Sequence, residues 1–461
     1  MLKKLSAMAV LLVALGNLLF SQAHPGGIAR EVAMGGSQAG NQFVLNPFIV
    51  EDPAYMLLNP AYLPKYKDYA WTNIGGGTLQ NVTTVDNGYG RQNAGINFSL
   101  SKEFSLGAVL SFDPSLANLV PAQLASFING VQGGRAQLGL PPVDVFEVVA
   151  AYDMGSMNLG FGFLYGWANR DTKNFPGPLA ATSSSETELS ARVMGFRLGI
   201  DFDMGGGSAF DATGALRLDK ATDNVRASNA GVAANSGDYS ESATEIQVNA
   251  RLKLKMSNKV NFVPYGAFLT ASGEPKQDAP PTGGTATTLS VKGSTLALAF
   301  GAGGEYRTPK FYLAGGLSYV LAKTKTETTP SAAAGTTTST TTSTSIPVLN
   351  LGGEWTFTDW LTGRMGYFRA FTSTNTKTEF PSAANAPTAE QNVFAPTSLV
   401  VVGGYGGADN SLVTLGLGLK LGGFALDAVV SEEALRRGFG VIGAQDNINS
   451  FGFMTASYCF E

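Results

Sequence analysis

The feature that most constrains the fold is a strict two-residue alternation of polar and apolar side chains, clearest in residues 245–255. Every odd position there is polar or charged, and every even position is Ile, Val, Ala or Leu. A period of two predicts an extended strand with one polar and one apolar face. A single strand leaves open which face points inward, because a soluble sheet can show the same pattern.

The alternation returns in other segments, with small residues opposite the bulky ones. In residues 295–305, 311–321 and 411–421, Leu, Phe, Tyr and Val predominate on one face, and Gly, Ala, Ser and Thr on the other. Bulky apolar side chains suit lipid, whereas small or polar ones suit the interior of a barrel. We therefore predict an all-β fold, an antiparallel transmembrane β-barrel.

The connections support the same fold. Short turns are predicted at residues 101–103, 153–156, 204–207, 257–259, 308–309, 358–359 and 422–423. Longer polar stretches lie between them, at residues 171–185, 223–240, 273–290, 324–344 and 372–397. Outer-membrane barrels alternate short periplasmic turns with longer surface loops, so we expect 14–16 strands with both barrel ends periplasmic. We interpret the Thr/Ser-rich residues 324–344 as a surface loop, because the alternation resumes after them.

Composition places the chain outside the cytoplasm. Two lysines, an apolar run and the small residues before His24 predict a secretory signal peptide, residues 1–23. A membrane anchor is the alternative, but the apolar run is short for a span. Charged residues make up 14% of the chain, against about 25% in typical soluble domains. We expect a protein of the outer membrane of a Gram-negative bacterium.

Several function classes are disfavoured. The chain has one histidine, His24, and one cysteine, Cys459, which leaves no Ser-His-Asp triad and no usual zinc site. The formal net charge of −4 gives no basic face for nucleic acid. We predict no enzymatic activity, metal site, cofactor or nucleic-acid partner.

A compact segment precedes the predicted strands. Residues 51–63 read EDPAYMLLNPAYL, and Pro53 and Pro60 bias Asp52 and Asn59 away from helix. This predicts an irregular coil. The apolar residues between the prolines have to be buried against something larger than the segment itself.

The motif resembles the N-terminal hatch of the FadL-type outer-membrane transporters of hydrophobic compounds. The resemblance rests on Asp52, Pro53, Asn59, Pro60 and Ala61, with the small residues 33–36 upstream; a buried turn of any protein is the alternative. It implies a hatch, residues 24–68, plugging a barrel, residues 69–461. It also implies passive uptake of hydrophobic or amphipathic molecules, such as long-chain fatty acids.

The resemblance also implies an outer groove for the ligand. Residues 121–130 form the one plausible helix of the barrel region, which by its pattern alone is a packed loop. FadL-type proteins have a partly helical loop here that lines a hydrophobic groove. The candidate groove residues are Leu116, Leu119, Val120, Leu124, Phe127 and Ile128.

Three cations on predicted polar faces are candidates for contact with a ligand carboxylate: Arg217, Arg251 and Lys253. The alternative is that these residues are solvated, or paired across strands with Asp211, Asp219 or Glu245. Gly107, inside a predicted strand, marks either a weak point in the wall or close packing.

The last strand resembles the aromatic-alternating strand that the barrel-assembly machinery reads, with Met454, Tyr458 and Phe460 on one face. Assembly machinery, outer-membrane lipid and a hydrophobic small molecule are therefore the expected partners. Two other functions stay open: an anchoring partner in protein secretion to the cell surface, and a plain porin.

Overall fold

The structure is a computed structural model that describes residues 26–39, 42–75, 93–111, 144–174, 183–229, 232–277, 289–330, 336–379, 389–395, 411–430 and 451–460. Residues 26–68, the N-terminal segment, hold helix α1 (Ile28–Ala33), the hairpin β1 (Ser37–Ala39) and β2 (Gln42–Val44), and two 3-10 helices, Pro53–Leu57 and Pro60–Lys65. No helix within these ranges is long and apolar enough to cross a membrane.

All other described elements are strands. They are β3 (Tyr69–Gly75), β4 (Asn93–Ser99), β5 (Phe104–Ser111), β6 (Asp144–Asp153), β7 (Met157–Asn174), β8 (Ser183–Gly205), β9 (Ser208–Asn229), β10 (Val232–Lys255), β11 (Val260–Gln277), β12 (Leu289–Arg307), β13 (Phe311–Pro330), β14 (Thr337–Thr358), β15 (Leu361–Glu379), β16 (Ala389–Ala395), β17 (Ser411–Leu421), β18 (Phe424–Val430) and β19 (Phe451–Cys459).

These strands form one closed antiparallel barrel. The ring closes where β19 pairs with β3, from Cys459 opposite Tyr69 to Phe453 opposite Gly75. Because β16 and β17 both pair with β15, the seventeen described wall strands occupy sixteen positions. The predicted all-β barrel is confirmed, at the upper end of the predicted strand number.

The seven predicted short turns are confirmed. Each joins two paired neighbours, such as β8 and β9, where Gly206 and Gly207 take the positive φ values of 65° and 86° that favour glycine. The end of the barrel where they lie is called the short-turn end below. Strand β3 begins and β19 ends there, as predicted for the two barrel ends.

The bulky face of the wall points outward, as predicted. On β10, Ile246 and Val248 are 43% and 44% exposed, whereas Gln247 and Asn249 are 3% and 2% exposed. The outer surface is therefore apolar, and the inner surface carries the small and polar side chains.

The predicted Thr/Ser-rich loop at residues 324–344 is wrong. Strands β13 and β14 run through most of it and pair from Val320 opposite Ser345 to Thr328 opposite Thr337. Thr favours strands because it is β-branched, and cross-strand hydrogen bonds between Thr and Ser hydroxyls stabilise them. Four such pairs join β14 to β15: Ser339–Thr378, Thr341–Thr376, Ser343–Thr374 and Ser345–Thr372. Residues 223–240, predicted as a loop, likewise lie mainly in β9 and β10.

Gly107 lies in regular β-structure. Strand β5 pairs with β4 and β6 through Gly107 without a register shift. A Cβ at this position would lie 2.9 Å from Cγ2 of Val149 and 3.4 Å from Cδ2 of Leu63. The glycine thus allows close packing, and no bulge marks a weak point here.

Candidate functional site

The two Asx-Pro pairs of the N-terminal segment each start a short helix. Oδ1 of Asp52 accepts a hydrogen bond from the N–H of Ala54 at 2.7 Å, and Oδ1 of Asn59 accepts one from Ala61 at 3.0 Å. Both capping residues have extended backbones, as predicted, with proline at the first helical position. The predicted irregular coil is wrong, because each pair caps a 3-10 helix.

Hydrogen bonds join the N-terminal segment to inward side chains and carbonyls all round the ring. Six examples that lie outside the clusters described below are Gly26 N to Asp427 Oδ2, Ala29 N to Thr455 Oγ1, Thr414 Oγ1 to Ala33 O, Asn350 Nδ2 to Gly35 O, Val50 N to Glu305 Oε1 and Asn97 Nδ2 to Leu63 O. They range from 2.7 to 3.1 Å. The segment thus contacts strands on opposite sides of the barrel.

Asn59 contacts the wall backbone directly. Its Nδ2 donates to the backbone oxygens of Ile200 at 3.1 Å and Ala212 at 3.2 Å, on two neighbouring strands. A Cβ on Gly199 would lie 1.9 Å from Oδ1 of Asn59. The approach therefore requires glycine at position 199.

Arg251, one of the predicted cations, makes an ion pair, two further hydrogen bonds and a cation–π contact. Its Nε lies 3.1 Å from Oδ2 of Asp211, its Nη1 donates to the Ile49 carbonyl at 2.9 Å, and its Nη2 donates to the Tyr62 hydroxyl at 3.0 Å. Its guanidinium lies 3.8 Å from the centre of the Tyr55 ring. Burial, and next the charge of Asp211, raise the pKa of Tyr62 well above its usual value, so its hydroxyl stays protonated and donates to Asp211.

A second cluster is a chain of alternating charges. Arg30 of helix α1 contacts Asp52 at 2.7 Å and Glu354 at 2.9 Å. Glu354 also accepts from Arg364 at 2.6 Å, and Arg364 pairs with Asp427. Burial, opposed mainly by Arg30, raises the pKa of Asp52. Buried ion pairs of this kind fix geometry, and removing one partner leaves a buried charge unpaired.

A third cluster lies at the short-turn end. Glu51 contacts Lys253 at 2.8 Å and Arg307 at 2.9 Å, and Lys65 contacts Asp201 at 2.7 Å. Burial alone would raise the pKa of Glu51, but Lys253 and Arg307 outweigh it and lower that pKa from 4.5 to about 2. An open cleft of about 480 Å³ lies beside these groups.

Beyond the segment, the inner wall of β6–β10 carries buried charged and amide side chains. They lie beside a buried apolar cluster of Val145, Leu164, Ala168, Ala191, Val193 and Ala221. Arg197 lies two residues further from the short-turn end than Gly199 and donates from Nε to Glu147 at 2.8 Å. Arg217 contacts Asp219 at 3.0 Å on the same strand. Among the described residues, the amide atoms of the buried Asn249 make no hydrogen bond.

The inner wall of β11–β13 is apolar at the ladder positions that continue from Gln247 and Asn249. Ladder positions run from Gln247 to Leu269, Ala297 and Ala322, and from Asn249 to Ala267, Ala299 and Val320. All six of these apolar residues are buried. The inner wall is therefore amphipathic. Its polar arc consists of Glu147, Arg197, Arg217, Asp219 and Asn249, and its apolar arc of Leu269, Ala297, Ala322, Ala267, Ala299 and Val320.

Two of the three predicted cations, Arg251 and Lys253, contact the N-terminal segment, and Arg217 pairs with Asp219. Cross-strand pairing was the alternative, and Arg251 pairs in this way with Asp211, whereas Arg217 and Asp219 lie on the same strand. The groove candidates Leu116, Leu119, Val120, Leu124, Phe127 and Ile128 lie outside the described residues. Four residues of the second cluster were not predicted from the sequence: Arg30, Glu354, Arg364 and Asp427. The one available signal was Asp427, a lone charge in an otherwise apolar strand.

No protein-family model matches the chain, and no curated protein matches it. Among solved structures, a FadL homologue from Pseudomonas aeruginosa is 10% identical, with 96% of this chain and 99% of that chain covered and a TM-score of 0.38. The toluene transporter TodX of Pseudomonas putida is 10% identical, with 95% and 97% covered and a TM-score of 0.35.

The ferric yersiniabactin uptake receptor FyuA from Yersinia pestis is 8% identical, with 80% of this chain and 70% of that chain covered and a TM-score of 0.35. At these identities and TM-scores the matches are likenesses only. The assignment of a closed barrel depends on the pairing of this chain's own strands. The chain is thus similar to the FadL homologue and to TodX over nearly its whole length, at low identity.

Proposed function

We propose that this chain is an outer-membrane barrel of the FadL type that takes up amphipathic or hydrophobic small molecules, long-chain fatty acids or similar compounds, with residues 24–68 as its hatch. The apolar outer surface supports a lipid environment, because large side chains such as Leu198 (65% exposed) and Met365 (60%) would be costly in water. The bonds of the N-terminal segment to strands on opposite sides of the barrel support a plug.

The observation that carries the proposal is the amphipathic inner wall beyond the segment. An amphiphile needs an apolar surface for its chain and polar groups for its head. Leu269, Ala297 and Ala322 offer the first, and Arg197 with Asn249 offers the second. We propose that the polar arc receives the head group and the apolar arc the chain.

Uptake of a radiolabelled long-chain fatty acid, by cells lacking their own transporter, tests this function. The test variant is Glu147→Gln/Arg197→Met, which removes a buried ion pair of the polar arc without leaving a lone charge. Its control is Glu188→Gln/Arg192→Met, the same changes at exposed positions of β8. We expect the test variant to lose most of the uptake and the control to keep it.

Equal uptake by the two variants, both present as folded barrels, would remove the polar arc from the pathway. Uptake by the unaltered chain no higher than in cells without it would contradict the transport proposal itself. Mass spectrometry of small molecules extracted from the purified full-length chain adds a second measurement, in which retained fatty acids support the proposal.

One observation favours the secretion-anchor alternative. Strands β8, β9 and β10 have 23, 22 and 24 residues, although about 9–11 residues cross a bilayer. Their ends therefore project well beyond the membrane, where another protein could dock. The plain porin is disfavoured, since the N-terminal segment has many bonds to the inner wall.

A further inference from the structure

The outer surface of the barrel carries an apolar groove of about 950 Å³, which runs from β11 to β18 and has most of its lining on β12–β15. Four glycines of its lining, Gly304, Gly315, Gly353 and Gly363, lie on adjacent strands and add no side chains of their own to its floor. Side chains of the flanks lie over two of them, Leu351 over Gly315 and Phe357 over Gly363. Its flanks include Tyr306, Leu313, Leu351, Trp355, Phe357 and Met365, all at least 38% exposed. The volume lies within the range of about 300–1,000 Å³ that small-molecule sites occupy.

The groove has the depth of one lipid leaflet. From Leu351 to Phe357 on β14 it extends about 20 Å, at about 3.4 Å per residue. With strands tilted by about 40°, this corresponds to about 15 Å along the membrane normal, half of a hydrocarbon core of about 30 Å. Trp355 and Phe357 stack at 6.0 Å near the short-turn end, where aromatic side chains mark a membrane interface.

Two lysines stand where the groove meets the short-turn end. Lys259 and Lys310 are exposed and directly precede Val260 and Phe311, which line the groove. The carbonyls of Lys259 and Lys310 accept hydrogen bonds from Arg307 N at 2.8 Å and Thr356 N at 2.9 Å, so each turn packs against the next strand along the groove. Asp359, in the next turn, is the acidic neighbour.

An apolar groove one leaflet deep with cations at its polar end complements a lipid that has an anionic head. We propose that this groove binds an acyl chain of an anionic phospholipid from the leaflet at the short-turn end, with the lipid phosphate beside Lys259 and Lys310. The inference rests on the proposed membrane location and is independent of transport, because the groove lies outside the barrel.

Native mass spectrometry of the full-length chain, in detergent micelles with equal amounts of phosphatidylglycerol and phosphatidylcholine, tests the site. Gly353→Leu fills the groove, since its Cβ would meet only the movable Cδ2 of Leu313 at 3.3 Å and a backbone oxygen at 4.0 Å. Gly214→Leu is the control, a partly exposed position on β9 where an added Cβ has no neighbour within 4 Å among the described residues. Resistance of unheated samples to unfolding in SDS shows which variants are closed barrels.

We expect the unaltered chain and Gly214→Leu to retain phosphatidylglycerol, and a folded Gly353→Leu to lose it. Lys259→Gln/Lys310→Gln should lose the preference for the anionic lipid, about fivefold for each lysine, whereas Lys102→Gln, at another short turn, should keep it. If the leucine prevents folding, the two lysine variants still decide the question.

Three outcomes would overturn the proposal. They are equal retention of the two lipids by the unaltered chain, equal retention of phosphatidylglycerol by folded Gly353→Leu and Gly214→Leu, and an unchanged preference after both lysines are replaced. A dimer that only Gly353→Leu abolishes would mean that a second copy of the chain covers the groove. A chain that takes up no fatty acid but retains the anionic lipid leaves this inference standing and contradicts the proposed transport alone.

Discussion

Arg251 of the barrel wall donates from Nη2 to the hydroxyl of Tyr62 in the N-terminal segment at 3.0 Å. The same hydroxyl donates to Asp211, which pairs with Arg251 across the β9–β10 ladder. The tyrosine thus completes a wall ion pair that would otherwise lack one acceptor and one donor. Attachment of the segment and the hydrogen bonding of the buried wall residues Arg251 and Asp211 are therefore coupled.

Tyr62→Phe should loosen the segment and leave the barrel intact. It removes a buried hydrogen-bonding group while keeping the ring, at a cost of about 1–3 kcal/mol. Hydrogen exchange measured by mass spectrometry should show faster exchange in residues 49–63. Tyr265→Phe is the control, because it breaks a bond between wall residues, Tyr265 to Ser318. Equal exchange of residues 49–63 in the two variants would contradict the prediction.

Gly199→Ala should displace the same segment by contact alone. The added methyl would lie 1.9 Å from Oδ1 of Asn59 and 3.1 Å from Cδ of Pro60, so the second 3-10 helix has to move away from the wall. Protease sensitivity of residues 49–66 should rise. Gly214→Ala, where an added Cβ has no described neighbour within 4 Å, should behave as the unaltered chain does. A segment that stays protected in Gly199→Ala would show that the approach of Asn59 is not fixed.

The attachment at Glu51 should weaken in acid. Because Lys253 and Arg307 outweigh burial and lower the pKa of Glu51 from 4.5 to about 2, its contribution is complete above about pH 4.5. It is lost as the pH falls toward 2. Hydrogen exchange of residues 48–54, corrected for intrinsic rates, should therefore accelerate between pH 5 and about pH 2.5.

Glu51→Gln should remove most of that pH dependence, whereas Glu103→Gln, at another short turn, should keep it. Glu31 and Asp52 are present in both variants, and burial raises the pKa of both. Their effect on the pH dependence has the opposite sign to that of Glu51. Because the attached segment favours the protonated forms of Glu31 and Asp52, a fall in pH strengthens the attachment at these two residues. The same pH profile in Glu51→Gln and the unaltered chain would assign the acid response to other groups.

The wall was predictable because each strand carries its own signal. Alternation along residues 245–255 and the seven turns need only local sequence, since side-chain period and turn chemistry are local properties. The strand lengths were not predictable in this way. A polar residue such as Thr341 or Thr376 is compatible with a surface loop and with a strand. Only the cross-strand hydrogen bond of 3.1 Å between these two residues shows that they lie in strands.

The candidate site was predictable only in part, because its partners are distant in sequence. Arg30 and Glu354 are separated by 324 residues, and no local pattern connects a helix residue with one strand among sixteen. Asp52 and Asn59 were found because proline restricts the preceding residue. The wall acceptors of the Asn59 amide, the carbonyls of Ile200 and Ala212, depend on how the closed ring positions β8 and β9.

Asn249→Leu should separate stability from ligand handling. Asn249 is 2% exposed, and its amide atoms have no hydrogen-bond partner within the described part of the chain. A buried polar group without a partner costs about 1–3 kcal/mol, so replacing it with leucine should raise the resistance of the barrel to thermal unfolding. If the amide serves the head group of an amphiphile, fatty-acid uptake should fall in the same variant.

Asn261→Leu is the contrasting change, because its amide donates to Glu305 at 3.1 Å and its loss should lower stability. A rise in stability without loss of uptake would leave Asn249 outside the ligand pathway, whereas a fall in stability would mean that the amide is satisfied in the native protein.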